Sequence, residues 1–286
     1  MQSSITDHLL SQSENVMRVL VDASGGHAAK AALEHLESGG KRIRARLSLS
    51  AALSLELPSS EAISIASACE LIHNASLVHD DIQDKSETRR GALTLCARYG
   101  NDIAICAGDL LISAAYAALA QTNSLSTSLL IGRAHKRIAE VISGQCKDLT
   151  LQANAQTDVE TYQTIATLKS APLLALPLEL PLIQAGHLGS CSLVDKASKM
   201  FALAYQMADD IEDVTNDARL GRPNIVSVLG GQSESSPQVE KARKIAAKHY
   251  ESAAKFADQL PLDSGTLLAA YARKGAVKLT PLGAAA

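Results

Sequence analysis

The chain has 286 residues, is 47% hydrophobic and carries a formal net charge of -3, enough for a sizeable core and without the basic excess of a polyanion-binding protein. Aromatic residues make up 3% of it and tryptophan is absent, which argues against a base-stacking nucleic-acid surface. The five cysteines, Cys69, Cys96, Cys106, Cys146 and Cys191, are odd in number and never spaced C-x-x-C, and read as buried thiols of a reducing, cytoplasmic compartment.

The first sixteen residues lack a basic start followed by an apolar run, so they do not read as a signal peptide. A turn signal at Ser38-Gly39-Gly40 leads into Lys41-Arg42-Ile43-Arg44. Lys41 and Arg44 fall on one side of a helical start, and the glycines let the backbone come close to an anion. After a second turn at Leu57 to Ser60, apolar residues recur at helical spacing through Ile63, Ala66, Cys69 and Leu71 to Leu77. This run ends in His79-Asp80-Asp81-Ile82-Gln83-Asp84. On a helix Asp80 and Asp84 share a face, and Asp81 lies about 100° away. His73 lies almost in line with that face and reads equally as a core histidine or as a phosphate-facing one. Arg89 and Arg90 follow, and arginine offers bidentate donors to phosphate.

A turn at Tyr99 to Asp102 opens the next helical run, Ile103, Ala107, Leu110 and Leu111, which extends to Tyr116. Further turns are expected at Gln121 to Ser124, 154 to 158, Gly186 to Ser190 and Leu220 to Asn224, with a loop from Gly230 to Gln238. Lys169-Ser170 precedes the most apolar segment, Ala171 to Gly186, whose Pro172, Pro177, Pro181 and Glu179 argue against a membrane span. A second apolar run, Phe201 to Ala208, contains Gln206 and ends in Asp209-Asp210-Ile211-Glu212-Asp213. The breaks give about ten helices, with no alternating strand, repeat or linker, so one all-α domain over residues 1–286 is the simplest reading.

A single DDxxD reads most simply as a solvated acidic face. Two copies, each prolonging a core-facing helix, need another account. Carboxylates this close repel unless a cation joins them, and an oxygen-only ligand set suits Mg²⁺, which keeps waters and takes phosphate oxygens.

The ordered set GGKRIR (39–44), LVHDDIQDKSETRRG (77–91), AGDLL (107–111), LKSA (168–171) and YQMADDIED (205–213) resembles the polyprenyl synthetase family of trans-isoprenyl diphosphate synthases. The resemblance implies a helical bundle of isoprenoid synthase type around a deep central cavity, a homodimer, and head-to-tail joining of isopentenyl diphosphate to an allylic diphosphate (dimethylallyl, geranyl or farnesyl). It implies isopentenyl diphosphate on Lys41, Arg44, His73 and Arg90, and the allylic diphosphate on Arg89, Lys169, Ser170, Gln206 and Arg222. About three magnesium ions per active site would rest on Asp80, Asp84 and Asp209. Asp81, Asp210, Asp213 and Lys169 are grouped with these as catalytic. Isoprenoid diphosphates are then the small-molecule partners, with no nucleic acid and no integral membrane segment.

In that family bulk just before the first acidic motif limits product length. Ala75 and Ser76 are small, and Tyr116 is a candidate floor, which favours a product of about twenty carbons or more. Three departures stand out: Ala45 where the family has proline, Arg222 where it has lysine, and a stretch from Ser227 that matches only as generic helix. A class I terpene cyclase and a weakly active partner subunit of another synthase are the rival readings. The former does not need GGKRIR or Arg90, and the latter has little use for two intact acidic motifs.

Overall fold

The computed structural model of the chain describes residues 2–122, 124–152, 158–220 and 222–280. Of the expected turns, Asn123, residues 154–157 and Gly221 lie outside the described residues. The rest is all-α apart from one small hairpin: thirteen α-helices among the described residues. Two compact units are present, Met1–Ala134 with Leu176–Gly186, and His135–Ala175 with His187–Ala286.

The first unit contains α1 (Gln2–Asp22), α2 (Gly26–Glu37), α3 (Ile43–Ser54), α4 (Ser59–Gln83), α5 (Leu95–Tyr99) and α6 (Asn101–Ala120). Helix α4 is its central element and packs against α6, α3 and α1. Its alanines and serines let neighbours approach closely, and it buries Ile65, Leu71, Ile72 and Val78; each large apolar side chain withdrawn from water contributes about 1.5–3 kcal/mol. Leu9, Leu10, Ala45, Leu49, Ala52, Ala62 and Ala66 form one cluster of this core.

Two longer helices, α7 (Thr127–Gln152) and α8 (Val159–Gln184), contribute residues to both units. The second unit adds α9 (Cys191–Glu212), α10 (Val214–Leu220), α11 (Ile225–Val228), α12 (Pro237–Ala257) and α13 (Thr266–Leu279). There α9 packs on α12, and α12 on α13. Leu203, Met207 and Ile211 of α9 bury against Val239, Ala242 and Ala246 of α12 and against Ile225 and Val226 of α11. The described part of the segment from Ser227, generic in sequence, thus supplies through Val239, Ala242 and Ala246 much of the apolar backing of the helix that ends in the second acidic motif.

Two sequence expectations need correction, and a third point concerns apolar helices. The strandless reading misses β1 (Thr88–Arg89) and β2 (Ala92–Leu93), an antiparallel hairpin closed by Arg90-Gly91. Both turn residues have positive φ, 53° and 80°, as the tightest hairpin turns require. Only Cys69 and Cys191 are buried among the five free cysteines; Cys106 and Cys146 are exposed. Finally, α6 and α8 are both long and apolar enough to cross a membrane by length and composition, but 78% of the α8 stretch is buried within the protein. Helix α8 runs through Pro172, Pro177 and Pro181 without ending.

Candidate active site

The first acidic motif ends α4. Asp80 is half-buried, Asp84 is the exposed C-cap, and Asp81 is buried at 2% exposure. The hairpin explains the difference. It swings Arg89 back so that its Nε donates to both Asp81 oxygens at 2.9 Å, with Nη2 2.8 Å from Oδ1. Thr94 fixes the far side of this loop: its hydroxyl donates to the Ser86 carbonyl at 2.6 Å while capping α5. Asp81, expected among the catalytic carboxylates, therefore has both oxygens engaged by Arg89. Arg89, expected on a diphosphate, has Asp81 as its partner here.

The same hairpin presents Arg90 to the α2–α3 turn. Arg90 Nη1 donates to the Gly39 carbonyl, and a Cβ placed on Gly40 (φ +139°) would lie 2.7 Å from Nη1. At the second glycine of the motif the positive φ favours glycine, and the absence of a Cβ leaves the space that the Arg90 guanidinium occupies. Arg42, with φ 49°, opens α3 and bonds Glu14 at 2.9 Å and the Leu36 carbonyl. Lys41 is exposed and Arg44 half-buried.

Positive charge is crowded here. Burial, then Arg42 and Arg89, lower the proton affinity of Arg90. Burial, then Arg44, Arg90 and Arg89, push His73 well below the usual imidazole value. His35 is pushed down to about 4 by burial and by Arg90, Arg89 and Arg42. Nothing in the sequence marked His35, and Arg42 stood in the GGKRIR motif without a role; only the fold brings them to this group. His79, in front of the first aspartate, packs closely over Gly108 of the AGDLL segment, so that a side chain there would displace its ring, and its Nε2 is 3.6 Å from Asp109. Of the chain-length candidates, Ala75 is buried at 1% exposure, the Ser76 hydroxyl donates to the His73 carbonyl at 2.8 Å, and Tyr116 is half-buried.

In the second unit α9 ends in the other motif, and the two adjacent aspartates again divide. Asp209 and Asp213 are exposed, whereas Asp210 is 3% exposed. Asp210 accepts from Tyr162 Oη, Gln206 Nε2 and the Ile225 N–H, each at 2.7 Å. Burial pushes its carboxyl up to about 6, although these three donors favour the ionised form. Gln206, expected on the allylic diphosphate, is thus bonded to the aspartate one turn ahead. Lys169 is 3.2 Å from Asp148, a partner absent from the motif reading, and Ser170 beside it is half-buried. Arg222 is exposed, and its N–H donates to the Asp217 carbonyl at 3.0 Å.

Among the described residues no three acidic, histidine or cysteine groups form a ready-made metal cage. The carboxylates nevertheless suit a hard cation. Although Asp209 presents an exposed surface, desolvation by the atoms around it, and then Asp213, Glu212 and Asp217, raise its proton affinity, which a divalent ion held there would offset. Magnesium needs only one or two carboxylates when substrate phosphates and waters complete its shell.

Comparison with known proteins identifies the family. A family model described as polyprenyl synthetase matches residues 27–226. The chain is 27% identical to a geranylgeranyl pyrophosphate synthase of Geoglobus acetivorans, across 80% of this chain and 72% of that protein. It is 31% identical to heptaprenyl diphosphate synthase component 2 of Geobacillus stearothermophilus, across 81% and 72% respectively. The solved geranylgeranyl pyrophosphate synthetase of the same archaeon shares the fold, with a TM-score of 0.83 at 23% identity over 95% of this chain and 99% of that one. The family match takes in both acidic motifs, the glycine–lysine turn and the paired arginines, and the chain belongs to the polyprenyl synthetase family of prenyltransferases.

Proposed function

We propose that this prenyltransferase adds isopentenyl diphosphate head-to-tail to an allylic diphosphate, with magnesium, and releases a trans-prenyl diphosphate of about twenty carbons or more. The observation that carries this reading is the cationic group of the first unit, where Arg90 reaches the Gly39 carbonyl beside Lys41, Arg42, Arg44 and Arg89, and where burial together with these arginines disfavours protonation of His35 and His73. Such a group is stabilised by a multiply charged anion.

In this reading Lys41, Arg44, His73 and Arg90 hold isopentenyl diphosphate. Asp80, Asp84 and Asp209 hold the magnesium, which when bound offsets charge on the departing diphosphate. Lys169, Ser170 and Arg222 grip the allylic diphosphate, while Arg89 and Gln206 act through the buried aspartates they bond. The C–O bond of the allylic substrate breaks and its electron pair leaves with the diphosphate. The double bond of isopentenyl diphosphate attacks the resulting cation, a C–C bond forms, and a proton is lost to the departed diphosphate. The cation requires surroundings that keep water away from it. Ala75 and Ser76 leave room for a long chain, and Tyr116 limits it. The family reading also carries a homodimer.

The test is to incubate the purified chain with Mg²⁺, isopentenyl diphosphate and each allylic starter, and to size the products. Extension to twenty carbons or beyond is expected; arrest at fifteen overturns the length. Cyclic hydrocarbons formed without isopentenyl diphosphate would establish a cyclase. The relative called component 2 keeps one further reading in view: no turnover alone, restored by a second chain. Asp80→Ala and Asp209→Ala should each lower turnover about a hundredfold or more with the helical content unchanged; full activity in either removes that aspartate from the metal site.

A further inference from the structure

The Tyr162 hydroxyl is a buried group that the proposed reaction does not use. Tyr162 lies in the first turn of α8 and is 5% exposed. Its ring belongs to the apolar cluster of Met207, Ile211 and Val226, so packing alone holds the ring. The hydroxyl donates to Asp210 Oδ2 at 2.7 Å. Of the other donors to that carboxylate, Gln206 comes from the same helix as Asp210, and the Ile225 N–H comes from the segment after α10. Asn224 adds two bonds there, from Nδ2 to the Asp210 carbonyl at 2.6 Å and to Asp217 Oδ2 at 2.8 Å. Three chain segments therefore meet on Asp210, and Tyr162 is the connection from α8.

Each segment carries a group of the proposed site. Lys169 is seven residues beyond Tyr162, two helical turns along nearly the same face of α8. Asp209 adjoins Asp210 on α9, and Arg222 lies two residues before Asn224. The bonds on Asp210 therefore set the register among Lys169, Asp209 and Arg222. The need for an anchor is physical. Asp209, Glu212, Asp213 and Asp217 repel one another where α9 ends, and helix ends fray most easily.

We infer that Tyr162 is a positioning residue: through its hydroxyl bond to Asp210 it holds the end of α9 in the arrangement at which Asp209 takes metal–diphosphate. The inference rests on the reading that Asp209 is a magnesium ligand. Tyr162→Phe keeps the packed ring and removes only the donor.

The experiment titrates Mn²⁺ with inorganic diphosphate into the purified full chain, followed by electron paramagnetic resonance and by calorimetry. Wild type should bind, and Asp209→Ala should lose that component; if those two do not differ, the metal reading itself fails. With that difference in hand, Tyr162→Phe should weaken Mn²⁺–diphosphate binding about tenfold, the usual effect of removing an outer-shell partner. It should add nothing in the Asp209→Ala background. In turnover assays its KM for the allylic substrate should rise while that for isopentenyl diphosphate stays constant. Unchanged metal–diphosphate binding, or an equal rise in both KM values, overturns the inference. Should Tyr162→Phe not fold, Asn224→Ser, which keeps a capping side chain for α11 but loses the amide donors to Asp210 and Asp217, carries the same expectations and the same criteria.

Discussion

Arg90 and Gly40 constrain each other. Arg90 is held in a left-handed backbone by the hairpin turn, and Gly40 leaves the space its guanidinium occupies. Gly40→Ala would strain the turn at φ +139° and force Arg90 off the Gly39 carbonyl. A lost charge-assisted hydrogen bond is worth about 1.5–3 kcal/mol, so KM for isopentenyl diphosphate should rise at least about tenfold in steady-state assays. An unchanged KM would mean that Arg90 does not work from this position. Both residues were visible in the sequence as parts of separate motifs, but their contact was not, because it depends on a two-residue hairpin. The division of labour within each acidic pair was half legible. A helical wheel puts Asp80 and Asp81, or Asp209 and Asp210, about 100° apart. It does not reveal that Arg89 awaits one inner carboxylate and Tyr162 the other, since those partners come from a hairpin and a different helix.

At the scale of elements, most helices were legible from three- and four-residue spacing, and the glycine and proline turns marked their ends. The hairpin was not, since strands of two residues have no period to detect. The departure at Ala45 also belongs here. Ala45 is the third residue of α3, where a helix has no internal partner for the N–H. That N–H instead donates to Glu70 Oε2 of α4 at 3.0 Å, and Glu70 is 3% exposed. Proline in place of Ala45 would gain about 0.4–1 kcal/mol by stiffening the unfolded chain. It would forfeit about 1–3 kcal/mol by leaving the buried carboxylate one donor short. The loss should win. Ala45→Pro is expected to lower the urea midpoint with an unchanged slope, and a midpoint at or above that of the parent would show that Glu70 does not need this bond.

For the whole molecule, composition and periodicity were enough for the all-α class, yet the two compact units were not legible. The chain passes between them inside α7 and α8, where helical patterning continues and no linker composition marks a boundary. The response of stability to pH is set by charge gathered from distant segments. His35 of α2 and His73 of α4 are both disfavoured as cations by burial and by arginines from the start of α3 and from the hairpin. In the unfolded chain each returns to about 6.5. As pH falls below that value the unfolded state takes up protons that the folded state refuses, down to about 4 for His35. Stability contributed by the neutral imidazoles is therefore complete above pH 6.5 and declines on acidification, by at most about 1.4 kcal/mol per pH unit for each. Urea unfolding of the free protein should show a lower midpoint at pH 5.5 than at pH 7.5, with a shallower decline in His35→Gln. Inorganic diphosphate should oppose the decline, because an anion beside Arg90 and His73 offsets the field that keeps the imidazole unprotonated. Parallel pH profiles for parent and His35→Gln, or a diphosphate effect independent of pH, would show that this cationic group is not what sets the acid limit of the fold.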